Sequence, residues 1–383
     1  MADTLLNMPR KCDLSSPERL SHPGENSVLT INLAALGRNY RYLCKQIFPG
    51  RVGGVVKANA YGLGVGPVSR QLYKEGCRQF FVAELGEAKT LRELLPLDCQ
   101  IFVLGGLLPG TEALAAELSI VPVLNSFGQF DRWKATASVR GQRLPAVLQF
   151  DTGMSRVGFP TAEWDALKLR VCNSANLEVM FIMSHLASAD EPENSQNLEQ
   201  LSLIQRLREL FPEYPTSFAN SSGVFLGRQY HGDLARPGIC LYGGAPIIGG
   251  KNPMEPVVSI DAAIIQIRTV VAGAKVGYGG SFKATTEMRL AIVAVGYADG
   301  IPRSLSDRGH VYHCGVRLPI RGRVSMDTMI VDISELPEGS VAPGGFVEII
   351  GPHQTIDEIA SVAGTIANEI LTRLGSRFAR FYI

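Results

Sequence analysis

The sequence has little charge imbalance, no paired cysteines and no long apolar run. Lys plus Arg number 37 and Asp plus Glu 36, giving a formal net charge of +1 over 383 residues. Near-neutrality argues against nucleic acid or an anionic membrane as the main partner. The seven cysteines, at 12, 44, 77, 99, 172, 240 and 314, form no CxxC and no paired spacing. That scatter argues against a disulfide framework or a metal site and implies reduced thiols in a cytoplasmic protein. No stretch of about 18 apolar residues occurs, so no membrane span is expected. Residues 1–27 form a polar, proline-containing N-terminal extension without the apolar segment of a secretory leader. Internal repeats and low-complexity tracts are also missing.

What is present is apolar and alternating. Hydrophobic residues make up 46% of the chain, enough for a sizeable core, and the length suggests two domains. Eight β-rich runs occur near 52–57, 79–85, 100–106, 120–126, 145–150, 177–184, 216–220 and 233–242. Helix-like stretches lie between them, at 66–76, 86–95, 110–118, 127–138, 161–173 and 195–210, with a short one near 221–228. Ile31 to Ile47 carries apolar residues at helical spacing ahead of the first strand. Eight strand–helix units imply parallel strands and a (β/α)8 TIM-type barrel over residues 28–246, within an overall α/β class. Beyond 246 the alternation stops. Short strands punctuated by glycine and proline, at 257–271, 289–295, 309–317, 327–333 and 345–350, predict a mainly antiparallel β domain over 247–383. A helix over Thr355–Leu374 is predicted to open with a Thr355–Glu358 capping box.

Polar residues cluster where the barrel strands end, the place where barrel active sites lie. Lys57 closes the first apolar run and is followed by Ala58-Asn59-Ala60-Tyr61-Gly62. A lone strand-end lysine usually reaches water. A desolvated one loses its proton more easily and can form a Schiff base, the way pyridoxal 5'-phosphate (PLP) is held.

The chain resembles the alanine racemases over nearly all of its length beyond residue 28. Their motifs recur in order: VVKANAYG at 55–62, FDTGMSRVGF at 150–159, SHLASAD at 184–190, ANSSG at 219–223, ARPGICLYG at 235–243, VGYGGSF at 276–282, VGYADG at 295–300 and RGRVSMD at 321–327. The resemblance implies a PLP-dependent isomerase that interconverts L- and D-alanine and supplies D-alanine for peptidoglycan. It also implies a homodimer whose sites draw on both subunits. In it Lys57 would carry the cofactor and serve as one base, and Tyr278 would be the second base on the opposite face of the substrate carbon. His185 would relay the tyrosine's proton, and Arg236, linked to it, would face the pyridine nitrogen. Arginine has no acceptor and keeps its proton, so the ring would be a weaker electron sink than one paired with a carboxylate. Tyr61, Asn220, Ser221, Gly238 and Ile239 would hold the cofactor, mainly its phosphate. Arg156 would meet both the cofactor's phenolic oxygen and the substrate carboxylate. Tyr297 and Met326 would line the substrate entrance from the other subunit, with Asp327 behind them.

Three positions depart from the family pattern. Gln149 replaces a lysine that is often carbamylated and orders the arginine matching Arg156, so a neutral amide or a bound anion is expected to hold Arg156. Leu63 replaces a histidine. Asn368 replaces a tyrosine that walls the substrate methyl pocket, which extends the expected range to serine. Alternatives are a broad-spectrum or serine-preferring racemase, a non-catalytic PLP-homeostasis protein and a PLP-dependent decarboxylase. The homeostasis proteins end after the barrel. The decarboxylases need a carboxylate on the pyridine nitrogen and a catalytic β-domain cysteine, which Arg236 and the isolated Cys314 do not supply. Gly62-Leu-Gly64-Val-Gly66 followed by Pro67 is a poor dinucleotide fingerprint.

Overall fold

The computed structural model describes residues 24–383. The predicted extension is therefore largely outside the described residues, as is Cys12. The chain divides into two compact units, one spanning Asn32–Val257 and the other joining residues 258–383 to the segment before Asn32.

In the first unit eight short strands run parallel. They are Arg51–Val55 (broken at Gly53), Gln79–Val82, Gln100–Val103, Ile120–Leu124, Leu144–Gln149, Leu177–Met183, Thr216–Ser217 and Leu234–Ala235. Each pairs with the next in chain order through the seventh, and the eighth pairs with Arg51–Val52. Between the seventh and eighth, the Arg236 amide donates to the Ala219 carbonyl at 2.9 Å. The ring of strands thus closes as a barrel, as the alternation predicts. Gly53 at the break is required by close packing, since a Cβ there would lie 2.6 Å from the Phe81 ring. Phe81 stacks on Phe102, and Phe102 meets Phe181 edge-on, with centroids 4.8 and 5.2 Å apart. These rings come from the second, third and sixth strands, so the contact crosses the barrel interior. Each such pair adds about 0.5–1.5 kcal/mol beyond its burial.

The helices after the strands fall at Val65–Lys74, Leu85–Leu94, Glu112–Glu117, Phe127–Arg140, Trp164–Cys172 and Gln196–Leu210. The predicted helix near 221–228 is instead a pair of 3-10 turns, Gly223–Phe225 and Arg228–Tyr230. The predicted strand over 233–242 ends at Ala235, and a 3-10 turn at Ile239–Tyr242 follows. The helix Leu33–Ile47 comes before the first strand. Its Asn39 amide donates to the carbonyls of Leu241 and Glu255 at 3.3 and 2.9 Å, which ties it to the chain that follows the eighth strand.

The second unit is a mainly antiparallel sheet around the long strand Val258–Val270, which pairs with Met288–Val293 and Phe346–Ile350. Residues Ser27–Ile31 form a strand that lies antiparallel to Val258–Val270 on one side and parallel to Ala379–Tyr382 on the other. Residues 28–31, assigned to the barrel by sequence, therefore belong to this sheet. The run 309–317 is two strands, His310–His313 and Val316–Pro319. Cys314 and Gly315 turn between them with φ 50° and 80°, as two-residue hairpins require. Five cysteines are free thiols (44, 77, 99, 172 and 240), whereas Cys314, expected to be reduced, is disulfide-bonded at its exposed turn. The Thr355 capping box is formed, but the helix stops at Ala363. Gly364 caps it with φ 72°, and a second helix runs over Ala367–Thr372. Among the described residues no helix is long and apolar enough to cross a membrane.

Candidate active site

Lys57 lies just beyond the first barrel strand. The four residues after it, Ala58, Asn59, Ala60 and Tyr61, all have φ between 53° and 56°. Four consecutive non-glycine residues in the left-handed region cost about 1–2 kcal/mol each, so surrounding bonds must hold them there. The turn has such bonds. The Ala60 amide donates to Val56, Gly62 to Ala58 and Gly64 to Asn59, at 2.9, 2.8 and 3.0 Å. The Asn59 side chain accepts from the Val65 amide at 2.8 Å. Burial lowers the Lys57 pKa, the Arg156 charge lowers it further, and Glu87 opposes both.

His185 follows the sixth strand and Arg236 the eighth. Arg236 is 3% exposed. Its guanidinium donates to the Ser217 hydroxyl, to the Ser184 carbonyl at 2.6 Å and to His185 Nδ1 at 3.4 Å. Burial lowers the Arg236 pKa to about 9. Burial also lowers His185 to about 3, with Arg236, Arg156 and Lys57 adding to the effect. His185 is thus within electrostatic reach of Arg236, Arg156 and Lys57 at one end of the barrel. Because Arg236 can only donate, Nδ1 is the acceptor and the neutral His185 ring carries its hydrogen on Nε2.

A polar network that the sequence did not reveal supports this pair. Buried Gln200 donates to the His185 carbonyl at 2.8 Å and to the Thr152 hydroxyl at 3.1 Å, and Thr152 bonds Ser184 at 2.7 Å. Only a glutamine on the inward face of a helix could have signalled it.

The phosphate candidates also meet. The Ser221 hydroxyl accepts from the amides of Gly238 and Cys240 at 2.9 and 3.3 Å. A Cβ on Gly238 would lie 2.1 Å from the Tyr61 hydroxyl, so any other residue would fill this cradle. Tyr61 packs on Tyr242, whose hydroxyl donates to Val55 beside the lysine. Asn220 holds the loop locally, donating to the Leu186 carbonyl and accepting from Gly223. Ile239 opens the 3-10 turn behind Gly238.

Arg156 is exposed on the loop after the fifth strand. Asp151 shapes that loop, accepting from the amides of Gly153, Met154 and Ser155. The Gln149 amide does not reach Arg156; it donates to the Val157 carbonyl at 3.5 Å. Of the two expected holders of Arg156, a neutral amide or a bound anion, the first is not supplied by Gln149, which steadies the loop backbone one residue further on. Leu63 is fully buried, as suits a leucine in place of a histidine. A cavity of about 470 Å³, lined by Phe48, Arg51, Arg228 and Asp233 among others, lies where the strands begin, away from Lys57.

The remaining candidates belong to the second unit. Tyr278 is 71% exposed between Gly277 and Gly279, both at positive φ. Tyr297 and Met326 are also exposed and lie on adjoining turns, since the Tyr297 and Ala298 amides donate to Ser325 and Met326. Asp327 and buried Asp299 share Arg377, with contacts of 2.6–2.8 Å. Asn368 is half-buried on Ala367–Thr372, and among the described residues its side-chain amide has no hydrogen-bond partner.

A closed parallel barrel with a lysine at a strand end, a buried arginine–histidine pair and a hydroxyl–amide cradle has the layout of an α/β-barrel enzyme. The chain belongs to the alanine racemase family. The alanine racemase N-terminal domain matches residues 31–246 and the C-terminal domain residues 257–382. It is 59% identical to a catabolic alanine racemase of Rhizobium johnstonii, covering 94% of this chain and 95% of that one. A catabolic alanine racemase of Agrobacterium fabrum is 51% identical over 97% of this chain and 96% of its own. The alanine racemase of Bartonella henselae, solved with covalently bound pyridoxal phosphate, superposes with a TM-score of 0.90 at 40% identity, covering 94% of this chain and 99% of that one.

Proposed function

We propose that this chain is a PLP-dependent isomerase that interconverts L- and D-alanine, with Lys57 and Tyr278 as its two bases. The observation that carries the proposal is the desolvated Lys57 amine grouped with Arg236 and His185 at the barrel's strand ends. The residues present fit the cofactor: Lys57 for its aldehyde, Ser221, Gly238, Ile239 and Tyr61 for its phosphate, and Arg236 for its ring nitrogen. Bound there, PLP supplies an electron sink that acidifies the substrate α-hydrogen.

The protein groups do the rest. Lys57, whose proton burial makes easier to lose, takes or returns a proton at Nζ on one face of the α-carbon. Tyr278 serves the other face. A free phenol is a poor base near neutral pH, and the Nε2 hydrogen of His185 is suited to stabilise a phenolate there. Arg156 binds the substrate carboxylate, with Tyr297 and Met326 at the entrance. We assign Tyr278, Tyr297 and Met326 to a second copy of the chain, so that the working unit is a homodimer; their exposure on one chain supports this. The cytoplasm is the compartment assigned. The word catabolic in two relatives' names favours D-alanine turnover over peptidoglycan supply. Asn368 extends the range to serine.

The test is an amino-acid panel assayed for exchange of the α-hydrogen. Alanine is expected to exchange, the protein to be yellow, and borohydride to fix the cofactor onto Lys57. Lys57→Ala is expected to abolish racemisation; near-normal turnover in that variant would end the assignment.

A further inference from the structure

We propose that Glu87 is a positioning residue for Lys57, its carboxylate clamping the left-handed turn through the first amide after the lysine. The inference rests on the assignment of Lys57 as a base. The Ala58 amide finds no backbone acceptor among the described residues. It donates to Glu87 Oε1 at 2.5 Å. The other oxygen, Oε2, accepts from the Ala83 amide at 2.7 Å. Ala83 follows the second barrel strand, so one carboxylate joins the ends of strands one and two at the level of Lys57. Both bonds are charge-assisted, the stronger kind.

The turn needs such a clamp. Ala58 to Tyr61 all sit at positive φ, a conformation that persists only where surrounding bonds over-determine it. Asn59 secures the far end through Val65. Glu87 secures the near end, where the lysine leaves the strand. Glu87 also stands in the first turn of Leu85–Leu94, where an acidic residue stabilises a helix. A mere helix cap would affect stability alone. A clamp on Lys57 must also affect the chemistry at its amine.

Glu87→Gln separates the two roles. Glutamine keeps the shape but has one acceptor oxygen, so one of the two amides faces an NH2 group. In the holoenzyme kcat is expected to fall roughly ten- to hundred-fold through misplacement of the base, with KM nearly unchanged. The pH titration of the visible band of lysine-bound cofactor is expected to move to lower pH, because a negative charge beside the amine is gone. Ala58 amide exchange is expected to accelerate. A lower Tm with unchanged kcat and unchanged spectral titration would leave Glu87 as a helix cap and overturn the proposal. If the variant does not fold, exchange in the wild-type holoenzyme decides. Slow exchange at Ala58 is expected, and exchange at the rate of a free exposed amide overturns the clamp. Absence of racemisation in the wild type would instead refute the base assignment, and the Ala58 measurement stands apart from it.

Discussion

Arg236 is a buried cation whose partners among the described residues are neutral: a hydroxyl, a carbonyl and an imidazole. Burial first, and the Arg236 charge beside it, keep His185 uncharged, and the consequence is measurable. The His185 pKa is lowered to about 3, against about 6.5 in the unfolded chain. Between these values the unfolded state binds more protons than the folded one, so stability present above pH 6.5 is lost as pH falls toward 3. The slope is about 1.4 kcal/mol per pH unit. Urea unfolding of His185→Gln is expected to show a shallower loss than wild type across that window, and equal slopes would mean that His185 titrates normally. Asn368 supports a second prediction. On the proposed assignment of Asn368 to the substrate site, an unpartnered amide can favour a hydroxyl by roughly 1–3 kcal/mol. Asn368→Tyr is expected to lose kcat/KM for serine more than for alanine. An unchanged ratio, or no serine turnover in the wild type, would remove Asn368 as a specificity residue.

Among the elements, the loop from Phe150 to Phe159 shows how backbone geometry presents a side chain. Its base is closed by the Asp151 amide donating to Phe159 and the Phe159 amide donating to Gln149, at 3.0 and 2.8 Å. Gly158 has φ 111°, and a Cβ there would lie 2.9 Å from the Asp151 backbone. Gly158→Ala is therefore expected to cost about 1–3 kcal/mol and to raise KM through a displaced Arg156; unchanged unfolding and KM would mean the loop adapts. Most barrel strands were legible because they are apolar runs that stop at a polar residue or glycine; Thr216–Ser217, itself polar, is the exception. The six helices between them were legible by spacing. Elements defined by distant partners were not. Ser27–Ile31 is a strand through partners more than two hundred residues away, and Ala379–Tyr382 likewise. The candidate site residues came from motifs, and their roles stand as proposed. Glu87, Gln200 and Ser217 were not, because their role depends on which backbone groups the fold brings to them.

For the whole molecule, the assignment of Tyr278 to a second copy predicts complementation. Lys57→Ala and Tyr278→Phe homodimers are each expected to be nearly inactive. Dissociated, mixed and reassembled, they are expected to recover roughly a quarter of wild-type activity, because half the dimers are mixed and each of these has one intact site. No recovery, with subunit exchange verified, would place both bases in one chain. The pairing of Ser27–Ile31 with Ala379–Tyr382 also sets a schedule. During synthesis the barrel residues emerge whole between two halves of a sheet. The earlier strand must wait for a neighbour about 350 residues downstream, which at 5–20 residues per second takes roughly 20–70 seconds. For that interval the strand keeps an open edge on the side that later takes Ala379–Tyr382, even once Val258–Val270 has paired with its other side, on a nascent chain whose barrel can already have folded. The β unit can close only after Ala379–Tyr382 has emerged, long after the barrel residues.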